Sequence, residues 1–98
     1  MVEVVLLLSA DLDIQKAYDF YEECQEGLGD LFVADLEEGF ARLRAFPKCG
    51  AIFRGTNRRL LLSGFPYGIF YTVEARGLMI SAVMDNRQDP EAIIRRLS

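Results

Sequence analysis

The residues best suited to chemistry in this 98-residue sequence are arginines of its second half. Arg58 and Arg59 are adjacent in a predicted strand, so their side chains are expected on opposite faces of a sheet. Arg54 precedes them across a short turn, and Arg87 follows the last predicted strand. Because guanidinium is a fixed, always charged fork that binds phosphate or carboxylate, these four residues are candidates for anion or target binding. The alternative is that they form structural ion pairs with acidic neighbours.

Several catalytic and cofactor sites are excluded by residue type. The chain has no histidine, so it lacks a Ser-His-Asp or Cys-His pair, and a zinc site is not expected. It has no glycine-rich phosphate-binding motif. Cys24 and Cys49 do not form a C-x-x-C pair or a disulfide framework, and Cys24 falls on an apolar helical stripe as a predicted core residue. We therefore expect no metal, no cofactor and a cytoplasmic location with reduced thiols.

Charge is divided unevenly along the chain. The formal net charge is −4, but residues 1–50 carry −7 and residues 51–98 carry +3. The asymmetry favours a basic working surface on an acidic scaffold, and the alternative is an acidic helix pair that is merely solvated. No apolar run is long enough to cross a membrane, so no membrane partner is expected.

Two amphipathic helices must support the arginine-bearing half. Residues 11–46 predict an αα-hairpin, because two apolar stripes of helical period are joined by a very short link. Ser9 or Asp11 is the predicted N-cap, Gly27 the left-handed residue after the first helix, and Pro47 the stop of the second. The residues expected to be buried against the sheet are Tyr18, Tyr21, Leu36, Phe40 and Leu43.

The remaining segments predict strands and a terminal helix. The strand candidates are Val2–Leu8, Ala51–Arg54, Arg58–Leu62, Ile69–Glu74 and Leu78–Met84, and Asp89-Pro90-Glu91 is a helix start. The expected layout is β-α-α-β-β-β-α, a single α+β domain over residues 1–98 with an antiparallel sheet and the αα-hairpin on one face. Since both sheet faces are apolar, the second face needs the terminal helix, a partner or a ligand.

Several segments resemble the RelE/ParE toxin superfamily over nearly the whole chain, closest to its ParE-like, plasmid-stabilisation branch. The matching segments are Ala17–Tyr21, Gly27–Gly29, Phe46-Pro47, Arg58–Leu61, Phe65–Tyr71 and Ala82–Pro90. The most specific of them are the FPYGIFY segment at 65–71 and the Asp-Pro pair that opens the last helix.

The resemblance implies a small cytoplasmic bacterial toxin of a type II toxin–antitoxin pair. RelE-type members cut mRNA on the ribosome, whereas ParE-type members inhibit DNA gyrase. Both are silenced by a cognate antitoxin whose C-terminal segment lies on the αα-hairpin and along the sheet. Tyr67, Phe70 and Tyr71 are assigned to that contact. The expected partners are the antitoxin and either gyrase or the ribosome, and uncovered apolar surface is expected to produce a homodimer.

The chain departs from the superfamily where catalysis would be expected. Relatives commonly have histidine at the position of Asp85 and a basic residue at that of Gln88. The remaining catalytic candidates are Arg59, Tyr71, Asp85 and Arg87, with Tyr71 or Asp85 as general base. We therefore expect a ParE-like toxin that acts by binding. The alternatives are a ribosome-dependent endoribonuclease of RelE type and a non-toxic binding module that kept the fold.

Overall fold

The computed structural model describes residues 2–97, which form three helices and one five-stranded sheet. In chain order the elements are β1 (Val4–Leu6), α1 (Leu8–Cys24), α2 (Leu28–Ala45), β2 (Ala51–Arg54), β3 (Asn57–Leu61), β4 (Tyr67–Glu74), β5 (Gly77–Asp85) and α3 (Pro90–Leu97). Residues 1 and 98 of the predicted domain lie outside the described part. Within residues 2–97 we find no helix long and apolar enough to cross a membrane.

The sheet confirms the predicted α+β class and corrects its details. The strand order is β1-β5-β4-β3-β2, with β2 to β5 antiparallel and β1 parallel to β5. Four strands follow the hairpin, one at each of the four predicted strand segments, although the predicted layout wrote only three of them. The short β2 pairs with β3 as an edge strand. The sheet is mixed because β5, the last strand of the β2-β3-β4-β5 meander, lies beside β1 and runs in the same direction.

The αα-hairpin is confirmed, and its corner is held by one carboxylate. Gly27 has φ 87°, the left-handed conformation that glycine adopts without strain. Glu22 accepts hydrogen bonds from the backbone N–H groups of Gly27 (3.3 Å) and Gly29 (2.8 Å). These groups belong to the start of α2, where amide hydrogens lack partners within the helix. The Glu22 side chain therefore fixes how α2 leaves α1.

The first strand is shorter than predicted, and the first helix starts earlier. Of the predicted strand Val2–Leu8, only Val4–Leu6 is strand, because Leu7 already turns the chain into α1. The Leu7 N–H donates to the Ile80 carbonyl of β5 (3.1 Å), while its own carbonyl accepts from the first helical turn. Leu7 is thus the N-cap, and the prediction of Ser9 or Asp11 in that position was wrong.

The main core lies between the hairpin and one face of the sheet, which we call the helix face. Its fully buried large side chains are Phe32, Leu43, Ile69, Tyr71, Leu78 and Ile80. Leu36 and Leu43 are buried as predicted, whereas Tyr18, Tyr21 and Phe40 are only half-buried. Cys24 was predicted in the core but is exposed, because it lies in the last turn of α1 beside the interhelical link.

The terminal helix covers part of the opposite face, which we call the open face. Ile93 of α3 is buried there with Phe70, Ala82 and Met84 of the sheet. The helix begins at Pro90 as predicted, and the Asp89 carboxylate accepts the Glu91 N–H (3.1 Å). A second contact holds the far end of the helix: Arg96 donates to both carboxylate oxygens of Asp13 in α1, at 2.7 and 2.8 Å.

Candidate functional site

The end of β5 places an ion pair beside the first helix. Asp85 lies opposite Tyr67 of β4 and accepts three hydrogen bonds from Arg87. These bonds, at 2.7 to 3.0 Å, lower the pKa of the Asp85 carboxyl and raise the pKa of Arg87. A carboxylate held ionised by a neighbouring guanidinium is a poor general base near neutral pH. The two residues are thus a pair, and neither is positioned as a free catalytic group.

Tyr67 lies in an aromatic cluster between the hairpin and the sheet. Its ring is 5.1 Å from that of Phe32 and 6.0 Å from that of Tyr21, and Phe65 completes the group. Burial raises the pKa of Tyr67 and of Tyr21, so both hydroxyls are neutral at physiological pH. Tyr67 remains half-exposed at the rim of a pocket of about 450 Å³, which α1, β5 and α3 also line.

Tyr71 holds the link between α2 and β2. Its hydroxyl donates to the Pro47 carbonyl (2.8 Å) and accepts from the Gly50 N–H (2.9 Å), and its side chain is fully buried. A Cβ on Gly50 would lie 2.7 Å from that hydroxyl, so the glycine leaves the space that the contact requires. Burial also raises the pKa of Tyr71. The predicted catalytic candidate therefore has a structural role here and is not in contact with solvent.

Arg58 also stabilises the link between α2 and β2, from the helix face of the sheet. Its Nη1 donates to the carbonyl oxygens of Lys48 (3.2 Å) and Gly50 (2.8 Å). Arg59 points to the open face, as the strand alternation predicted, and its guanidinium carbon lies 4.9 Å from the centre of the Phe53 ring. Cation–π contacts of this kind orient an arginine without neutralising it.

The four predicted arginines do not converge on one anion site. Arg58 and Arg59 are on opposite faces, Arg87 is paired with Asp85, and Arg54 is exposed at the end of β2. The sheet therefore separates Arg58 from Arg59, and the ion pair with Asp85 occupies Arg87. Of the four, Arg59 and Arg54 retain charge that a partner on the open face or the sheet edge can contact.

Asn86 was missed by the sequence interpretation. Its Oδ1 is buried and has no hydrogen-bond partner in the described part of the chain. A Cβ on Gly68 would lie 2.6 Å from that oxygen and 3.0 Å from Cγ of Arg59. Gly68 therefore leaves room for both side chains on the open face. The available signal was a glycine inside a strand, which often marks such a close approach.

The residues assigned to antitoxin contact differ sharply in exposure. Phe70 is fully buried on the open face beneath Phe53 and α3, and Tyr71 is fully buried on the helix face. Only Tyr67 of the three presents atoms to a partner in this conformation. Contact with the other two would require displacement of α3 or of the α2–β2 link.

A groove on the αα-hairpin is lined by two acidic side chains. We call it the hairpin groove; it is about 360 Å³ and is lined by Asp11, Ile14, Gln15, Tyr18, Asp19 and Val33. Tyr18 donates to Asp30 (3.3 Å), and the charge of Asp30 raises the pKa of the tyrosine. Within residues 2–97 the side chains of Asp11 and Asp19 make no hydrogen bond or ion pair. The groove thus combines an apolar floor with unneutralised negative charge.

An apolar basin lies at the other end of α2. Its lining residues are Ala45, Phe46, Pro47, Lys48, Cys49 and Val73, around about 690 Å³ of open space. The Phe46 side chain is 70% exposed, although it is one of the largest apolar residues of the chain. Nothing in the described residues covers it, so the basin adds apolar surface that a partner can bury.

No metal site is visible among residues 2–97, where no three His, Cys, Asp or Glu side chains are grouped for ligation. The acidic residues of the hairpin are spread along two helix surfaces, and the two cysteines lie in separate segments. Among the described residues, the hairpin groove, the pocket beside Tyr67 and the apolar basin are open depressions.

Comparisons with known proteins give a family and a fold. A family model described as the ParE toxin of the type II toxin-antitoxin system, parDE, matches residues 4–90. A solved structure titled a chromosomal ParDE TA system from P. aeruginosa has the same fold, with a TM-score of 0.76 and 20% identity. The alignment covers 87% of this chain and 96% of that chain. No curated protein matches the chain significantly. The family match ends at residue 90, so α3 lies almost wholly beyond it.

Proposed function

The chain belongs to the ParE toxin family of type II toxin–antitoxin systems, and from that premise we propose that it acts by binding DNA gyrase and not by cutting RNA. The observation that carries the proposal is the separation of the four catalytic candidates. Tyr71 is buried in a structural contact, Asp85 and Arg87 neutralise each other, and Arg59 lies on the opposite sheet face. General acid–base catalysis needs its groups within hydrogen-bond reach of one reacting atom.

The charge of the chain also supports a protein target over a bare nucleic acid. The net charge is −4, and residues 1–50, which include the αα-hairpin, carry −7. Proteins that bind phosphate backbones gain affinity by releasing counterions through Lys and Arg contacts, which an acidic chain makes poorly. Arg54 and Arg59 remain as local positive charges that fit acidic or polar groups of a protein surface.

We further propose that a cognate antitoxin silences the chain by covering its uncovered apolar surface. The hairpin groove, the pocket beside Tyr67 and the apolar basin are open in the chain alone. An amphipathic helix followed by an extended segment is suited to such a set of separated depressions. In the absence of the antitoxin, exposed side chains such as Phe46 and Ile52 should drive self-association, at least to a dimer. We infer a cytoplasmic location, where gyrase acts.

Induced expression in a bacterium, with and without the reading frame beside the gene, tests the proposal. We expect growth arrest that the neighbouring frame relieves, with DNA replication stopping before protein synthesis. An arrest in which protein synthesis stops first, with cleaved mRNA, would support the RelE-type ribonuclease instead. Normal growth of cells that contain soluble chain would indicate a non-toxic binding module. An R59A variant then examines the ribonuclease outcome, because mRNA cleavage that uses Arg59 is lost in that variant.

A further inference from the structure

Positive charge without counter-ions is concentrated in the segment that contains the apolar basin. Residues 39–73 contain no Asp or Glu. Their basic residues are Arg42, Arg44, Lys48, Arg54, Arg58 and Arg59. Within residues 2–97 the salt bridges are made by Arg76, Arg87 and Arg96, so no carboxylate neutralises any of these cations. The segment therefore keeps its full positive charge in a chain whose net charge is −4.

Two of these cations flank the apolar basin. Lys48 lines it, and Arg44 lies in the last turn of α2 beside Ala45, which lines it as well. The Glu74 carboxylate, one residue beyond the basin along β4, lies on the opposite sheet face, where it accepts a hydrogen bond from Thr72 (2.8 Å). The basin thus has a positive rim that Glu74 does not neutralise.

The floor of the basin is apolar and open. Phe46 is 70% exposed and Val73 is 40% exposed, with Ala45 and Pro47 beside them around about 690 Å³ of open space. Exposed apolar patches that are rimmed by polar groups mark interaction sites on protein surfaces. A partner that fits this patch supplies apolar contacts and negative charge together.

We propose that the apolar basin is the contact site for the target protein, and that it takes an acidic segment with an apolar anchor. The anchor packs on Phe46 and Val73, and flanking Asp or Glu side chains lie beside Arg44 and Lys48. This proposal rests on the proposed function, because the partner is the target named there, and it adds the surface and the chemistry of the contact. Charge complementarity at such an interface governs association rate and partner choice.

A nucleic acid fits this surface less well than an acidic polypeptide. Phe46 is the one aromatic ring among the residues that line the basin, so successive bases have no series of rings on which to stack. The charge of residues 1–38 is −10, and a nucleic acid that runs past the basin along a domain of 39 × 32 × 22 Å meets that repulsion. A short acidic segment stays within about 8 Å, one Debye length, of the two cations.

The two cysteines allow a direct test, because both are exposed and only one lies in the basin. Cys49 lines the basin, whereas Cys24 is in the last turn of α1. The alkylation rate of each thiol is measured by mass spectrometry with and without purified gyrase. We expect gyrase to slow the alkylation of Cys49 several-fold and to leave that of Cys24 unchanged. Inhibition of gyrase without protection of Cys49 would overturn the proposal and leave the proposed function intact.

Charge reversal at the rim then locates the effect. R44E/K48E should raise the concentration that half-inhibits gyrase at least about tenfold at low salt. The control R76E/R95E changes the net charge equally at exposed positions outside the basin, and it should change that concentration less than about twofold. R44Q/K48Q gives an intermediate loss and keeps the test valid if glutamate at the end of α2 impairs folding. Equal inhibition by R44E/K48E and by wild type would contradict the proposal.

Defined probes separate this proposal from the proposed function and from other occupants. Two synthetic peptides share one apolar anchor, and the peptide flanked by glutamates should protect Cys49 whereas the peptide flanked by lysines should not. Equal protection by both peptides, protection by a single-stranded oligonucleotide, or protection by concentrating the chain alone would overturn the proposal. If gyrase is neither bound nor inhibited, the proposed function fails and the target is lost as occupant, while the peptide pair still decides the charge preference of the basin.

Discussion

Replacement of Tyr71 by phenylalanine tests whether this residue is structural. The substitution keeps the buried ring and removes a hydroxyl that bonds the Pro47 carbonyl at 2.8 Å and the Gly50 N–H at 2.9 Å. A buried N–H without a partner costs about 1–3 kcal/mol, and one lost hydrogen bond costs about 0.5–1.5 kcal/mol more. Tyr71→Phe should therefore lower the free energy of unfolding by about 2–4 kcal/mol.

Urea unfolding followed by circular dichroism measures this loss as a lower midpoint with an unchanged slope. In a domain of this size the melting temperature should fall by about 10–25 °C. Tyr18→Phe is the matched control, because its hydroxyl makes one exposed 3.3 Å bond to Asp30, and it should change stability by less than about 0.5 kcal/mol. Equal stability of the two variants would refute the structural role of Tyr71.

The alkaline pH dependence gives an independent measure of the same group. Burial raises the folded-state pKa of Tyr71 above its ordinary value of 10.0. As pH rises past that value, the unfolded chain loses this proton before the folded chain does, so stability present below pH 10 declines. Tyr71→Phe should make this decline shallower. A folded variant that keeps its stability but loses gyrase or antitoxin binding would show instead that Tyr71 meets a partner.

Three further substitutions, two of them paired with a control variant, test the core, a turn and the ion pair. Phe32→Ala, which removes the fully buried ring of the aromatic cluster, should cost about 3–5 kcal/mol in urea unfolding. Phe20→Ala, at a residue that is 57% exposed, should cost well under half of that. Gly77→Ala should destabilise the protein more than Gly27→Ala. Both glycines have positive φ, but only at Gly77 would an added Cβ lie 2.6 Å from a backbone oxygen. Differential scanning calorimetry of the two variants measures which melting temperature falls further. Arg87 lowers the pKa of Asp85, so the ion pair stabilises the fold at pH values above 3.8, the ordinary pKa of the carboxyl, and this stability is lost as pH falls through the folded-state pKa. Asp85→Asn should remove this acid-dependent part of the free energy of unfolding. The change should be less than about 1 kcal/mol, because Arg87 is exposed.

Local patterns were sufficient to predict the hairpin and most strands. The helical period of the apolar residues, the left-handed Gly27 and the Asp89-Pro90 start are properties of short segments, and the structure confirms each. The start of α1 was mispredicted because Leu7 is fixed by the Ile80 carbonyl of a strand over 70 residues away. A capping rule that uses neighbouring residues contains no such information.

The candidate site was harder to predict because its side chains depend on tertiary partners. Alternation along β3 correctly separated Arg58 from Arg59. The alternation of side chains along a strand does not predict which carbonyl groups accept hydrogen bonds from Arg58. It also does not predict that the Tyr71 hydroxyl bonds to the α2–β2 link. The sequence predicted an acidic first half but not the hairpin groove, because the apolar residues that line it, Ile14 and Val33, belong to two different helices.

Inhibition of purified DNA gyrase tests the central claim most directly. The folded chain is titrated into a supercoiling assay, and the same preparations are added to ribosomes programmed with mRNA. We predict that supercoiling stops at concentrations near that of gyrase, that the antitoxin restores it, and that the mRNA stays intact. Full supercoiling activity together with cleavage of mRNA on the ribosome would contradict the account and assign the chain to RelE-type chemistry.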